Sequence, residues 1–416
     1  MSRTRAPTGT GGTERPDHPA RADRLTWALI AGGGTAGHVL PGISIGTEIV
    51  RRGAPPDAVH FVGSSRGVET RLVAEAGFTL TALPGRGLRR GLAPSSMAAN
   101  LMAAADLARA FVKALLVLRR RKPAVVVGLG GYASVACGVA AALCRVPLII
   151  TEQNAVPGLA NRLLSRLAAG AATAFESTDL RGAAWTGNPL RSDVLAVDRS
   201  AGRPAARAAL GVDEGRRLVA VLGGSLGART INRAVTGALD LWRDRRDLHI
   251  RHISGHRDYQ DLSRRVPAGS GRALAYDLVA YEDDMAAVYA AADLVVGRAG
   301  ATTVAELAAV GVPAVLVPLP GAPGDHQTAN ARRLEAAGGA VLVRDEDLDA
   351  ARLVDEVDAL LEDPGRLDSM AGAARSLARP DAAAAVVDLM ESCARPRGRA
   401  GGWQPATRPD RSEAPG

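Results

Sequence analysis

Residues 25–38 read LTWALIAGGGTAGH: a short apolar run, Leu25–Ala31, that breaks into glycines and leads into a helix. Residues 218–227, LVAVLGGSLG, repeat the pattern almost two hundred positions later. Working outward from the first, Val59–Val62, Val125–Val127 and Leu148–Thr151 are further buried strands, with helical sequence between them. From the second, His249–Ile253, Leu294–Val296 and Ala314–Val317 follow in the same way. Apolar runs of strand length alternating with amphipathic segments predict parallel sheets covered by helices on both faces. The repeat predicts an α/β protein of two Rossmann-like halves, with ligands at the carboxyl ends of the strands and so in the cleft between the halves. The join is expected at Gly187-Asn188-Pro189, with Asp198–Pro204 as a second candidate hinge.

At 416 residues the chain suits two domains rather than one core. Its three cysteines, Cys137, Cys144 and Cys393, have no pairing or metal-ligand pattern and read as reduced thiols. The net charge of +8 is local. Residues 1–24 hold five Arg against three acids, and 395–416 five Arg against two. Both tails, 1–24 and 394–416, are rich in Pro, Gly and Arg and are expected to be disordered. Segment 86–122 carries nine basic residues (Arg86, Arg89, Arg90, Arg109, Lys113, Arg119, Arg120, Arg121 and Lys122) against Asp106 alone. The remainder is balanced or acidic, which argues against a nucleic-acid partner. No signal peptide is visible. The uncharged stretch Ala124–Cys144 is broken by Gly128, Gly130 and Gly131 and reads as strand, turn and helix, not a membrane span.

Gly32, Gly34 and Gly37 spell G-x-G-x-x-G, the dinucleotide fingerprint, but its acidic partner is missing: the second strand ends Val62-Gly63-Ser64. His38 follows the loop instead. At a helix start it faces the cleft, and the dipole favours the neutral, proton-accepting form. Gly128–Tyr132 and Thr151-Glu152-Gln153-Asn154 end two other strands and converge on the same cleft.

In the second half, Gly223–Gly227 and Arg298–Thr303 each lead into a helix whose free amides suit a diphosphate. Ser225 and Thr302 add hydroxyls, Arg191 adds charge, and Glu306, one turn beyond Thr302, suits a ribose diol. His326, Gln327 and Asn330 offer the polar groups that recognise sugar hydroxyls. Glu282-Asp283-Asp284 reads as a helix start rather than a metal site.

Taken in order, Gly32–His38, Gly128–Ser134, Glu152–Asn154, Gly187–Arg191, Gly223–Arg229, Asp283–Met285, Arg298–Glu306 and His326–Gln327 resemble the MurG family, over about 25–390. The resemblance implies a GT-B fold with an acceptor domain at 25–190, a donor domain at 191–374, and a last helix, about 375–393, that completes the first. It implies an inverting transfer of GlcNAc from UDP-GlcNAc to the C4 hydroxyl of undecaprenyl-diphospho-MurNAc-pentapeptide (lipid I to lipid II), with no cofactor or metal. It also implies roles in cell shape and division, and a peripheral place on the cytoplasmic face of the membrane with other cell-wall synthesis proteins as partners.

By the same resemblance His38 and Glu152 are candidates for the general base. Thr35, Gly37, Asn154, Arg191, Ser225, Gly227, Glu282, Thr302, Glu306 and Gln327 are donor-side residues; Gly33, Gly34, Gly130, Gly131 and Tyr132 face the acceptor. Glu282 stands where the family carries an aliphatic whose backbone meets uracil, and Thr151 where a His is common. Met97, Leu101, Ala105, Ala108, Phe111, Leu115 and Leu118 recur at helical spacing among the basic residues. That stripe is either core or a surface for anionic membrane. Another UDP-sugar enzyme, such as a UDP-GlcNAc 2-epimerase, and a non-catalytic sensor of UDP-GlcNAc are the competing functions.

Overall fold

The computed structural model describes residues 26–33, 36–64, 69–84, 94–224, 227–266 and 273–395. Residues 1–25 and 396–416, which hold all but Ala394 and Arg395 of the two tails, lie outside these residues, as do Gly34, Thr35, Arg86, Arg89, Arg90, Ser225 and the side chains of Met97 and Leu101.

The first half is a seven-stranded sheet in the order β3-β2-β1-β4-β5-β6-β7, parallel throughout. Its strands are β1 (Ala28–Ala31), β2 (Val59–Ser64), β3 (Thr79–Leu83), β4 (Val125–Gly128), β5 (Leu148–Glu152), β6 (Gly170–Thr173) and β7 (Ala183–Trp185). Every residue of β1, β2, β4, β5 and β6 is buried, which is why the apolar runs lack the alternation of a half-exposed strand. Helices α1 (Ala36–Arg51), α2 (Glu69–Glu75), α3 (Pro94–Arg121), α4 (Gly131–Leu143) and α5 (Leu159–Leu164) connect them. Ala124–Cys144 is thus β4, a turn and α4, as its glycines imply.

After α6 (Ser192–Leu195) and α7 (Arg199–Ala209) the second half repeats the plan. Its order is β10-β9-β8-β11-β12-β13, built from β8 (Arg217–Leu222), β9 (Leu248–Ile253), β10 (Ala275–Val279), β11 (Leu294–Gly297), β12 (Ala314–Leu316) and β13 (Ala340–Leu342). The helices are α8 (Arg229–Leu241), α9 (His256–Arg265), α10 (Met285–Ala291), α11 (Ala301–Val310), α12 (His326–Ala336), α13 (Ala350–Leu361) and α14 (Pro364–Ser376). In both sheets the order reverses beside the first strand, between β1 and β4 and between β8 and β11. Such a switch point opens a crevice at the strand ends. The two glycine loops, β1–α1 and β8–α8, therefore hold equivalent places.

Two expectations need correction. The second candidate hinge is the start of α7, where the Asp198 carboxylate accepts the Ser200 and Ala201 amides, and α7 packs on α10 of the second half. The returning helix is also shorter than 375–393. Leu367, Met370 and Ala374 of α14 sit in the second-half core, and only α15 (Ala382–Cys393) crosses back, placing Val386, Val387 and Met390 in the core of the first. The two crossings touch: the Arg379 guanidinium stacks 3.7 Å from the ring centre of Trp185.

Candidate functional site

On the first half the switch point is lined by the β1–α1 and β4–α4 loops. Ser134 ties them together, donating to the Ala31 carbonyl (2.6 Å) and accepting the Gly130 amide (2.9 Å). Gly130 and Gly131 take φ of +99° and +78°, which a side chain disfavours. A Cβ on Gly130 would also stand 3.1 Å from Nε2 of His38, so the missing side chain is where the imidazole fits. His38 is half-buried. Burial lowers its pKa, the Glu152 and Glu69 carboxylates pull it back up, and His326 across the cleft lowers it further. The imidazole is thus neutral, with two carboxylates near enough to favour the imidazolium once it forms.

Glu152 is 3% exposed, and both its oxygens are engaged. Oε1 accepts the Asn154 amide (3.0 Å) and its Nδ2 (3.1 Å); Oε2 accepts the Gly158 amide (2.9 Å) and Asn161 Nδ2 (2.9 Å). Four bonds use the acceptor capacity of a carboxylate, so Glu152 shapes its own loop and acts on His38 through its charge. Tyr132 donates its hydroxyl to the Leu83 carbonyl (3.0 Å) and buttresses the loop. Glu69 was not legible as a site residue. Buried under the first glycine loop, it accepts the Ser64 amide at 2.6 Å, and a Cβ on Gly33 would run into it. An acid at the first turn of a short helix reads as an ordinary dipole partner.

On the second half, α8 and α11 start at the switch point with no side-chain cap. Their first amides are left for a ligand, and the dipoles favour an anion. Glu306 on α11 is buried and accepts the Tyr289 hydroxyl (2.8 Å); burial pushes its pKa up to about 7. Arg191 is held by Asp193, with Nε 3.0 Å from Oδ1, and also feels Glu306 and Tyr281. The Thr302 hydroxyl, expected on the diphosphate, is buried without a partner. Glu282 spends its carboxylate on Arg251 (2.6 Å), leaving its backbone as the group on offer. Asp284 caps α10 through the Ala287 amide (2.9 Å), as a helix start should. Among the described residues no three His, Cys, Asp or Glu side chains gather as a metal site.

Asn330 departs from the sugar-binding role expected of it. It is fully buried, accepts the Ala155 amide (2.9 Å) and donates to Asn154 Oδ1 (3.2 Å) and the Ala299 carbonyl (3.1 Å). It thus joins the end of β5 in one half to the β11–α11 turn in the other, and occupies Asn154 in doing so. Beside it, Gln327 accepts the Leu319 amide through Oε1 (3.0 Å). The Nδ1 of His326 lies 2.8 Å from the Pro323 carbonyl, so that nitrogen carries the proton.

Two parallel-sheet halves with switch points facing one cleft, a neutral imidazole on one side and uncapped helix ends on the other, define a GT-B glycosyltransferase. Sequence models agree: the glycosyltransferase family 28 N-terminal domain matches residues 28–173 and its C-terminal domain 218–386. The UDP-N-acetylglucosamine–N-acetylmuramyl-(pentapeptide) pyrophosphoryl-undecaprenol N-acetylglucosamine transferase of Alkalilimnicola ehrlichii is 47% identical over 362 residues, 87% of this chain and 97% of that protein. The transferase of the same name from Acidothermus cellulolyticus is 42% identical over 372 residues, 89% of this chain and 98% of that protein. The crystal structure of Acinetobacter baumannii MurG matches with a TM-score of 0.68 and 29% identity, covering 88% of this chain and 99% of that one. The chain belongs to the MurG family of UDP-GlcNAc-dependent glycosyltransferases. A Neisseria meningitidis UDP-GlcNAc 2-epimerase matches at a TM-score of 0.62, covering 88% of this chain and 100% of that one, but at 14% identity it shares the fold alone.

Proposed function

We propose that this chain moves GlcNAc from UDP-GlcNAc to the C4 hydroxyl of MurNAc in undecaprenyl-diphospho-MurNAc-pentapeptide, with inversion, using His38 as general base. The observation that carries this is the opposition of a neutral His38 on the first switch point to the uncapped ends of α8 and α11 on the second. The acceptor hydroxyl gives its proton to His38 as its oxygen attacks the anomeric carbon from the face opposite UDP. The proton ends on the imidazole, where the negative charge of Glu152 and Glu69 favours it. The bond to the diphosphate breaks, and the developing charge falls on the two helix ends, with Arg191 beside them and no metal required. Glu306 takes the ribose diol, Gln327 the sugar, and the Glu282 backbone the uracil. Gly33, Gly34, Gly130 and Gly131 cradle the acceptor diphosphate at the starts of α1 and α4.

The test is UDP release from UDP-GlcNAc with and without a water-soluble, short-chain analogue of the lipid acceptor. Release only with the acceptor is the expected result. Conversion of UDP-GlcNAc alone would indicate an epimerase, and binding without turnover a sensor; either overturns the proposal.

The acceptor's polyprenyl chain calls for a membrane-facing surface. On α3 the exposed Leu107, Val112 and Leu116 lie among Arg109, Arg119, Arg120 and Arg121, while Lys113 is anchored to the Ala82 carbonyl (2.7 Å). Leu159, Leu163 and Leu167 are exposed beside Arg162 and Arg166 on and after α5. Of the expected stripe, Leu118 is buried and Phe111 and Leu115 pack partly against the first-half core beside Ala110 and Ala114, whereas Ala105 and Ala108 are exposed, so part of the stripe is core. No described helix is long and apolar enough to cross a membrane. The proposed role is peripheral docking on the cytoplasmic face through apolar contacts and basic side chains. Vesicle binding should rise with anionic lipid content and fall with salt; indifference to both would rule it out.

A further inference from the structure

Beneath the second glycine loop runs a chain of polar side chains drawn from four elements, buried at His252 on β9 and Asn232 on α8 and half-buried at its two ends, Tyr276 on β10 and Asp258 on α9. His252 is fully buried, with Nδ1 2.9 Å from the Tyr276 hydroxyl and Nε2 2.9 Å from Asn232 Oδ1. Asn232 Nδ2 lies 3.1 Å from the Ser254 carbonyl oxygen and 3.0 Å from Asp258 Oδ2. Both of those groups only accept, which fixes the rest by parity. Asn232 donates twice, so its Oδ1 must accept. His252 then donates from Nε2, its Nδ1 accepts, and Tyr276 donates to it. Every donor points toward the loop, and burial keeps His252 neutral, as this pattern demands.

The two acceptors at the end of the chain are what the loop rests on. A Cβ on Gly227 would lie 2.9 Å from both the Ser254 oxygen and Asp258 Oδ2, and one on Gly223 would lie 2.8 Å from the Ser254 oxygen. Arg257 holds Asp258 (2.8 Å) and also reaches the Gly227 carbonyl (3.3 Å). An unattended carboxylate here would repel a diphosphate. With its charge taken up by Asn232 and Arg257, it becomes a support for the loop.

We propose that Asn232, His252 and Tyr276 are positioning residues for the nucleotide-sugar donor, a one-way hydrogen-bond relay that holds Gly223 and Gly227, the two ends of the second glycine loop, in place for the diphosphate. This rests on the reading that the loop seats the diphosphate of UDP-GlcNAc. Asn232→Leu removes both donors and should weaken UDP binding about tenfold or more, raising the KM for UDP-GlcNAc while leaving the acceptor KM unchanged. Asn232→Asp sets a third acceptor against two. At pH 8 it should bind UDP as weakly as Asn232→Leu; toward pH 5.5 its protonated form regains a donor, and its affinity should approach that of the wild type at the same pH. Tyr276→Phe, which removes one oxygen far from the loop, keeps the relay testable if the other variants fail to fold, with an expected loss of about two- to fivefold. The measurement is UDP titration calorimetry on the full chain at each pH, with Gly227→Ala as the control. If Gly227→Ala binds UDP normally, the loop is not the diphosphate seat and the underlying reading fails. If Gly227→Ala weakens UDP while the relay variants bind like the wild type, or if Asn232→Asp shows no recovery at low pH, the relay is overturned.

Discussion

In the first half His60 of β2 lies buried between the hydroxyls of Thr79 and Thr81 on the edge strand β3, at 2.9 and 2.8 Å. In the second half His252 of β9, the equivalent strand, takes a hydroxyl from the edge strand β10 but passes its other bond inward to Asn232. One histidine closes a local pairing; the other connects the sheet edge to the ligand loop. The glycine loops differ in the complementary sense. The first ends in His38 and rests on Glu69, so a side chain able to take a proton stands at the cleft. The second offers amides and runs into Ala228 and Arg229, with its polar side chains underneath. On the proposed function a shared scaffold thus places a base on one side of the cleft and an anion seat on the other: an acid lies beneath each loop, Glu69 and Asp258, but only the first loop ends in a histidine.

The largest test of that contrast is His38→Ala. Loss of the general base should lower turnover by roughly 100- to 10,000-fold, with UDP affinity unchanged because the donor seat belongs to the other half. Glu152→Gln should fall between the variant and the wild type. It keeps an acceptor for some of the four loop bonds but removes the charge that favours the imidazolium, so the acid limb of the rate profile should move to lower pH. Single-turnover rates with saturating donor and acceptor, measured across pH, separate the two. Near-normal turnover in His38→Ala would remove the imidazole from the chemistry.

Much of this division was legible in the sequence, for physical reasons particular to the residues. The runs Ala28–Ala31 and Leu218–Leu222 announce central strands because central parallel strands are buried on both faces. The strands that escaped are short or lie at sheet edges: Gly170–Thr173 and Ala183–Trp185 are mostly small residues, and the edge strands Thr79–Leu83, Ala275–Val279 and Ala340–Leu342 are partly exposed. The site was legible where a loop or helix start exposes backbone, as at Gly130 and Gly227. It was obscure where a side chain works from below. Nothing in the spacing of Asn232, His252 and Tyr276 shows that three elements bring them together. Asn330 likewise reads as a helix-surface amide until the second half closes on the first.

The smaller test sets the two buried histidines against each other on acidification. Desolvation depresses both, His60 and His252 alike, from 6.5 to about 4. A base with a lowered folded-state pKa binds fewer protons folded than unfolded, so its neutral form contributes stability that is complete above about pH 6.5 and is lost as the pH falls through about 4. Each histidine is worth about 3 kcal/mol over that window. His60→Leu and His252→Leu should each lower stability near pH 7, because hydroxyl or amide partners lose their bond, and each should flatten the acid slope by a similar amount. Denaturant midpoints between pH 7 and pH 4 measure both effects. The two variants should part company only over UDP. His60→Leu, whose partners end at the sheet edge, should bind it like the wild type, whereas His252→Leu should bind it more weakly at every pH because the chain to the loop is cut. Equal UDP affinities in the two variants would mean that the second histidine, like the first, does no more than pair strands.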